Sequence, residues 1–590
     1  MRLAARFVPL LLVCLPAAAQ HFHHHADASA SEQFLRSPCE KTYAKPALEP
    51  KWQKVEWKVT GKETARTYFN QGMTHYYGFN FEEAARNFRA ALDEDSSMAM
   101  AAWGIALASG PNININMEGE CAKQAVAMSI HADDLAKTQP GISDFERATI
   151  SALRVRYERG LDPVAYAAAM RRVWTAPFTS RNDPNVTAVY AESVMDLRPW
   201  GLFDNAHRPA LDTDETIRAL EDALKVKDDA VGPNHLLIHA VEAGPSPAKA
   251  QHAAAILAGL VPDSGHLVHM PSHINLLLGN YAEAVGNNAD AVDADKRNYE
   301  AVCADKFNDY WARPGCPAVY YGHYLGHNYF FQSVAAAFAG KSKVAIDSAE
   351  ATEAHVRRFV VNEPGLQRYL TAPLMMLVAH QRWDKLPTAQ PDAKCYAEPP
   401  FEAEKYWTGC HILRSVFFYA HAMRSAWQGK ATDARTVYAL MKNEMKLIAP
   451  KTPTGWGNNT AAAVLAVPEQ LLLARIAWAE PNRKDEAIEY LKLAVTYEDA
   501  MVYDEPPQWF APAREYLGGA YLQDGQFAKA VETFHDALGR HPRSGRALYG
   551  LMRACEKVPA NPKCPADIKD QFEKAWKSSA DYDMSVDKLW

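Results

Sequence analysis

The alternation of large and small side chains follows a helical step almost throughout. Over residues 511–544, Leu517, Gly518, Tyr521, Gly525, Ala530, Phe534, Ala537 and Pro542 fall where two packed helices need bulk, clearance or a turn. Residues 65–98 carry the same order in Tyr68, Gly72, Ala84, Phe88 and Ala91, and Trp103, Gly104 and Leu107 start a further helix. Between these ends, Ala-rich amphipathic stretches such as 217–226, 248–260 and 461–479 are separated by Gly, Asn or Pro. Alternation of β-branched residues is scarce, so nearly the whole chain is expected to be helical.

Those spacings match the tetratricopeptide repeat, a helix pair that recurs about every 34 residues. Pro262 ends one unit, and Gly279 with Ala284 marks the next at the same register. Gly340 and Ala345 define a later unit that starts near Gly326, delayed by an insertion at 297–322 that holds Cys303, Trp311 and Cys316. The predicted fold is therefore all-α: a tetratricopeptide-like α-solenoid of antiparallel helix pairs with disulfide-closed loop insertions. Its expected divisions are N-terminal repeats over 61–230, central His-rich repeats over 231–365, repeats with irregular loops over 366–500, and a C-terminal unit with its cap over 501–590.

Composition adds a compartment. Arg2 and Arg6, an apolar run from Phe7 to Pro16 and the small residues Ala17, Ala18 and Ala19 have the build of a signal peptide over 1–20. A His-containing arm over 21–60 follows; His21, His23, His24 and His25 read as a flexible tail rather than a copper-binding terminus. The chain is expected to be exported, periplasmic or extracellular. Val13 argues against lipidation at Cys14, which leaves Cys39, Cys121, Cys303, Cys316, Cys395, Cys410, Cys555 and Cys564. An even count suits an oxidising compartment, and pairing neighbours in chain order is the leading arrangement among many. A formal charge of −7 without long basic runs predicts no nucleic-acid partner. No segment after the first is expected to span a membrane.

The 21 histidines are unevenly spread. His235, His239 and Glu242 take the groove positions of one predicted repeat, and His266, His269 and His273 those of the next. His327 follows after the insertion, with His323 one turn earlier. Three H-x-x-x-H pairs put imidazoles on common helical faces, a geometry that can hold a metal ion. No Glu follows the first His of any pair, so the zinc-protease motif is absent. Imidazole donors suit copper or zinc first, then iron or nickel, at one or two ions per chain. Pro271 should break its helix, leaving His266 and His269 in a turn before a helix that starts near Ser272. His75, His411 and His421 read as structural, and His252 lies off the groove.

The strings Gly110-Pro111-Asn112-Ile113-Asn114, Asn234-His235-x-x-Ile238-His239-x-x-Glu242, Gly265-His266-Leu267-Val268-His269-Met270-Pro271-Ser272-His273 and Tyr503-Asp504-Glu505-Pro506-Pro507 resemble those of a family of large exported bacterial tetratricopeptide-repeat proteins. The resemblance covers most of the chain from about residue 60; it implies the repeat fold and no particular substrate. It places Asn112, Asn114, Tyr503, Asp504 and Glu505 as groove residues, with loop caps and turns as their other reading.

The function expected from the sequence is an exported repeat protein that binds a transition metal in a His-rich concave groove, with room for a protein or peptide partner. Two alternatives stand beside it. One is a metal-dependent hydrolase or oxidoreductase with Glu242 as ligand or base; the other is a metal-free interaction scaffold.

Overall fold

The structure is a computed structural model and describes residues 45–114, 119–180, 182–303, 320–360, 364–391, 408–452, 457–576 and 584–590. The signal segment, the histidines of the 21–25 tail and residues 304–319 of the insertion lie outside the described residues.

Among the described residues the chain is helical, with two isolated β-bridges, Glu158 to Gly160 and Phe203 to Pro209, and no strand. Consecutive helices pack as pairs. In the first repeats, α1 (Glu63–Tyr77), α2 (Phe81–Glu94) and α3 (Ala99–Ala108) meet around Phe88. Its ring fills the gap between Gly72 and Gly104, where an added Cβ at either would come within 2.7 Å of it. Both glycines are therefore required by close approach, as the spacing predicts. Asn80 caps α2 by accepting from Glu83 N–H at 3.2 Å.

The central region holds α4 (Val231–Val241), α5 (Gly265–His269), α6 (Pro271–Leu277), α7 (Tyr281–Cys303), α8 (Gly326–Phe338) and α9 (Ser342–Val356). Pro271 breaks the helix as expected. It sits at the first position of α6, where its missing N–H costs nothing, and His266 and His269 occupy the five-residue α5. A single wide π-type turn, Tyr321–Leu325, leads into α8 and carries His323.

The C-terminal unit repeats the first. In α10 (Ala513–Gln523), α11 (Phe527–Arg540) and α12 (Gly545–Cys555), Phe534 stands between Gly518 and Gly550, whose added Cβ atoms would lie 2.7 and 2.2 Å from its ring. This unit also packs back onto the centre. Tyr281 OH donates to the Pro542 carbonyl at 2.9 Å, and the Arg543 guanidinium donates to Asn280 Oδ1 at 2.6 Å.

Cys555 and Cys564 form a disulfide, in agreement with nearest-neighbour pairing. Cys121 and Cys410 are also disulfide-bonded. Cys39, Cys316 and Cys395, and the side chain of Cys303, lie outside the described residues. One helix, Ala461–Trp478, is long and apolar enough to cross a membrane by length and composition, which the sequence reading did not anticipate. In the fold it packs as a repeat helix: Tyr438 OH donates to its Glu469 at 2.6 Å, and its Arg475 lies 4.1 Å over the Trp427 ring.

Candidate metal centre

The i, i+4 spacing on α4 puts His235 and His239 on one face, with Glu242 just past the helix end. The break at Pro271 turns α5 and α6 so that His266, His269 and His273 face them, and α8 brings His327. The result is three groups of donor atoms, each lying within 4.8 Å of one another: His235, His239 and His266; His269, His273 and His327; and His239, Glu242, His273 and Glu505. His323 is buried but belongs to none of them. Nearly all of these side chains are buried, so the histidines form an enclosed core rather than the lining of an open groove. Segments far away in sequence close over them.

Hydrogen bonds at Nδ1 fix the tautomers. His235 Nδ1 donates to the Tyr77 carbonyl at 2.6 Å. His269 Nδ1 donates to Asn288 Oδ1 at 2.7 Å; Asn288 Nδ2 donates in turn to Ser272 Oγ and the Ala284 carbonyl, which makes Oδ1 the acceptor. His239 Nδ1 donates to Glu242 Oε1 at 2.6 Å and His273 Nδ1 to Glu242 Oε2 at 2.5 Å. With its proton on Nδ1, a neutral imidazole presents a lone pair at Nε2. These Nε2 atoms converge. His269 Nε2 lies 2.7 Å from His273 Nε2 and 3.1 Å from His327 Nε2, while His235 Nε2 and His266 Nε2 are 3.1 Å apart.

Burial first, and then the neighbouring rings, hold His235, His266, His269 and His327 well below the ordinary histidine value. Burial alone would raise the Glu242 carboxyl, but His273 and His239 outweigh it and hold it well below the usual range. Glu505, whose Oε2 is 2.5 Å from His273 Nδ1, is pushed well above that range by burial and then by Glu242. The two carboxyls are thus pushed in opposite directions.

Of the other expected residues, Tyr503 OH donates to Glu242 Oε2 at 3.0 Å. Asn114 Nδ2 donates to Tyr324 OH at 2.9 Å, and the Tyr324 ring stands 4.7 Å from that of His266. Asn112 and Asp504 serve loops: Asn112 Oδ1 accepts from Asn114 N–H at 2.9 Å, and Asp504 accepts from Asn458 N–H at 2.8 Å and Asn459 Nδ2 at 2.5 Å. His75, His411 and His421 lie apart: the His75 ring stands 4.3 Å from that of Trp52, His411 pairs with Glu444, and His421 with the Pro387 carbonyl.

Sequence reasoning missed the aromatic backing. Phe79 lies 4.5, 5.6 and 5.0 Å from the rings of His235, His239 and His266, and Phe331 lies 4.9, 5.1 and 5.7 Å from those of His269, His273 and His327. Phe331 stands one turn after His327, a spacing that was available as a signal. Nothing local marked Phe79, which has a φ of 55°; Trp200, against His239, has a φ of 63°. Bulky residues in the left-handed region are strained, and such strain concentrates at functional sites. A small cavity adjoins the cluster, walled by Ile113, Met195, Trp200 and Leu202 and reaching His239 and Glu242.

No family model matches the chain, and no curated protein matches it. Among solved structures it is similar to yeast Tom70, at 11% identity over 86% of this chain and 99% of that one with a TM-score of 0.28. It is also similar to Naa15/Naa10 bound to HypK-THB, at 11% identity over 87% and 89% with a TM-score of 0.17. Likeness at these scores assigns no activity. The tetratricopeptide-like fold rests on the chain's own helix pairs, and its buried His and Glu groups can hold a metal ion.

Proposed function

We propose that the chain is an exported repeat protein that holds a transition-metal ion in its enclosed histidine core. The contact of His269 Nε2 with both His273 Nε2 and His327 Nε2 carries this reading. A proton on one partner satisfies one of the two contacts; an ion satisfies all three nitrogens together. At metal–nitrogen distances of about 2.0–2.1 Å, ligands at right angles stand about 2.9 Å apart, within the observed 2.7 to 3.1 Å. Asn288 and Glu242, each accepting from a ligand's Nδ1, are the outer partners such ligands ordinarily have. Neutral imidazoles favour copper, zinc, iron or nickel over calcium and magnesium. The disulfides and the build of the N-terminal segment support export.

A second reading, metal-dependent catalysis, is favoured by the small cavity, which reaches His239 and Glu242 past apolar walls.

Elemental analysis of protein purified without a His tag and reconstituted with each metal tests the first reading. Metal should be bound by the parent, and His269→Ala/His273→Ala of unchanged helical content should bind less of it, without the ion of this set. Equal binding by both, or none by the parent, would overturn it.

A further inference from the structure

His235, His239 and His266 form a second set built on the plan of the first. His235 is oriented by a backbone carbonyl at Nδ1, as His269 is by Asn288. His239 is held at Nδ1 by Glu242 Oε1, as His273 is by Glu242 Oε2. Each set rests against its own phenylalanine, Phe79 or Phe331. In this second set, His239 Nε2 and His266 Nδ1 are buried with no hydrogen-bond partner among the described residues, a costly arrangement for polar atoms unless a ligand satisfies it. The His239 and His273 rings are 5.6 Å apart, so the two sets are neighbours that share one carboxylate.

We propose that His235, His239 and His266 hold a second transition-metal ion beside the one on His269, His273 and His327, with Glu242 positioning both through one ligand in each set. This rests on the metal-binding reading of the site. The third donor group is not a further ion site, because His239 and His273 turn their protonated Nδ1 atoms toward its carboxylates. Glu242 is then a positioning residue: its two oxygens go to two imidazoles, and Tyr503 adds a third donor. A carboxylate used in this way makes both ligands better electron donors and fixes their rings. The two ions are coupled through it without sharing a ligand.

The test is stoichiometry in the full chain. Cobalt(II), whose absorption reports its ligands, and zinc serve as probes. The parent should bind two equivalents. His235→Ala/His266→Ala should bind one with the spectrum of the remaining set, and His269→Ala/His273→Ala one with the other. Glu242→Gln should weaken both steps by about 10–100-fold, the range for loss of an outer-shell partner. Glu242→Asp should partly restore both, a rescue that bulk packing does not explain. Anomalous scattering at the zinc edge from parent crystals provides a reading free of variants, with two peaks expected. One equivalent in the parent with one peak, unchanged in His235→Ala/His266→Ala, would overturn the second site and leave the first standing. No metal in the parent would overturn both. Weakening of a single step in Glu242→Gln would overturn the shared role.

Discussion

The terminal repeats and the central repeats use one scaffold to opposite ends. Around Phe88 and Phe534, a phenylalanine fills the clearance left by two glycines and the core is held by shape. In the centre, the inward positions of α4, α5, α6 and α8 carry imidazoles instead. Their packing is just as close, but it is satisfied only by hydrogen bonds and, on the proposed function, by ions. The comparison teaches that a helix-pair scaffold can exchange an apolar core for a chemical one locally, because each pair is stabilised chiefly by its neighbours.

The largest expected effect breaks the apolar end. Phe534→Ala opens a cavity between Gly518 and Gly550 that glycines cannot refill, and should cost about 3–5 kcal/mol in denaturant unfolding. That loss should be the same with and without chelator. A lone buried histidine in the N-terminal repeats sharpens the contrast next. Burial, then Arg86 and Lys51, lowers His75 to about 3 from 6.5. The unfolded chain therefore takes up a proton before the folded one does. The stabilisation is complete above pH 6.5 and is lost as pH falls toward 3, on the order of 5 kcal/mol. His75→Phe should flatten this acid limb in a pH series of melting curves, and added metal should not change it.

The centre should respond to the reverse treatment. Zinc at a free concentration about 100 times its dissociation constant should raise stability by about 2.7 kcal/mol for each site it fills, removable by chelator, and His269→Ala/His273→Ala should lose the share of its own set. The smallest change is to one outer partner. Asn288→Ala removes the acceptor at His269 Nδ1 and should weaken zinc binding about 10–100-fold by competition titration, with little change in metal-free helical content.

Much of this division was legible in the sequence. Gly72, Phe88, Gly518 and Phe534 recur at repeat spacing because their contacts lie within one or two helix pairs. The i, i+4 histidines were legible for the same reason, and Pro271 announced the break that separates α5 from α6. Burial was not legible, because an open groove and an enclosed core place the same residues on the same helix faces. What closes the core is contact between distant repeats. The Tyr77 carbonyl and Phe79 acquire their roles only when helix pairs far apart in the chain are set side by side. Tyr503 and Glu505 were suggested by resemblance alone, and the structure brings both to the acidic edge of the cluster, with Asp504 pinning their loop.

The hydrogen bond from Tyr503 to Glu242 joins residues 261 apart in the chain, and this separation sets a sequence of events in time. A ribosome emits the last core aromatic, Phe331, long before Tyr503. At about 5–20 residues per second the interval is roughly ten to thirty seconds. During it every imidazole of both sets exists, and the segment that covers them does not. On the proposed function, a chain that folds in the order in which it emerges can therefore fill this core before it is sealed, with the C-terminal repeats as the late-arriving stopper.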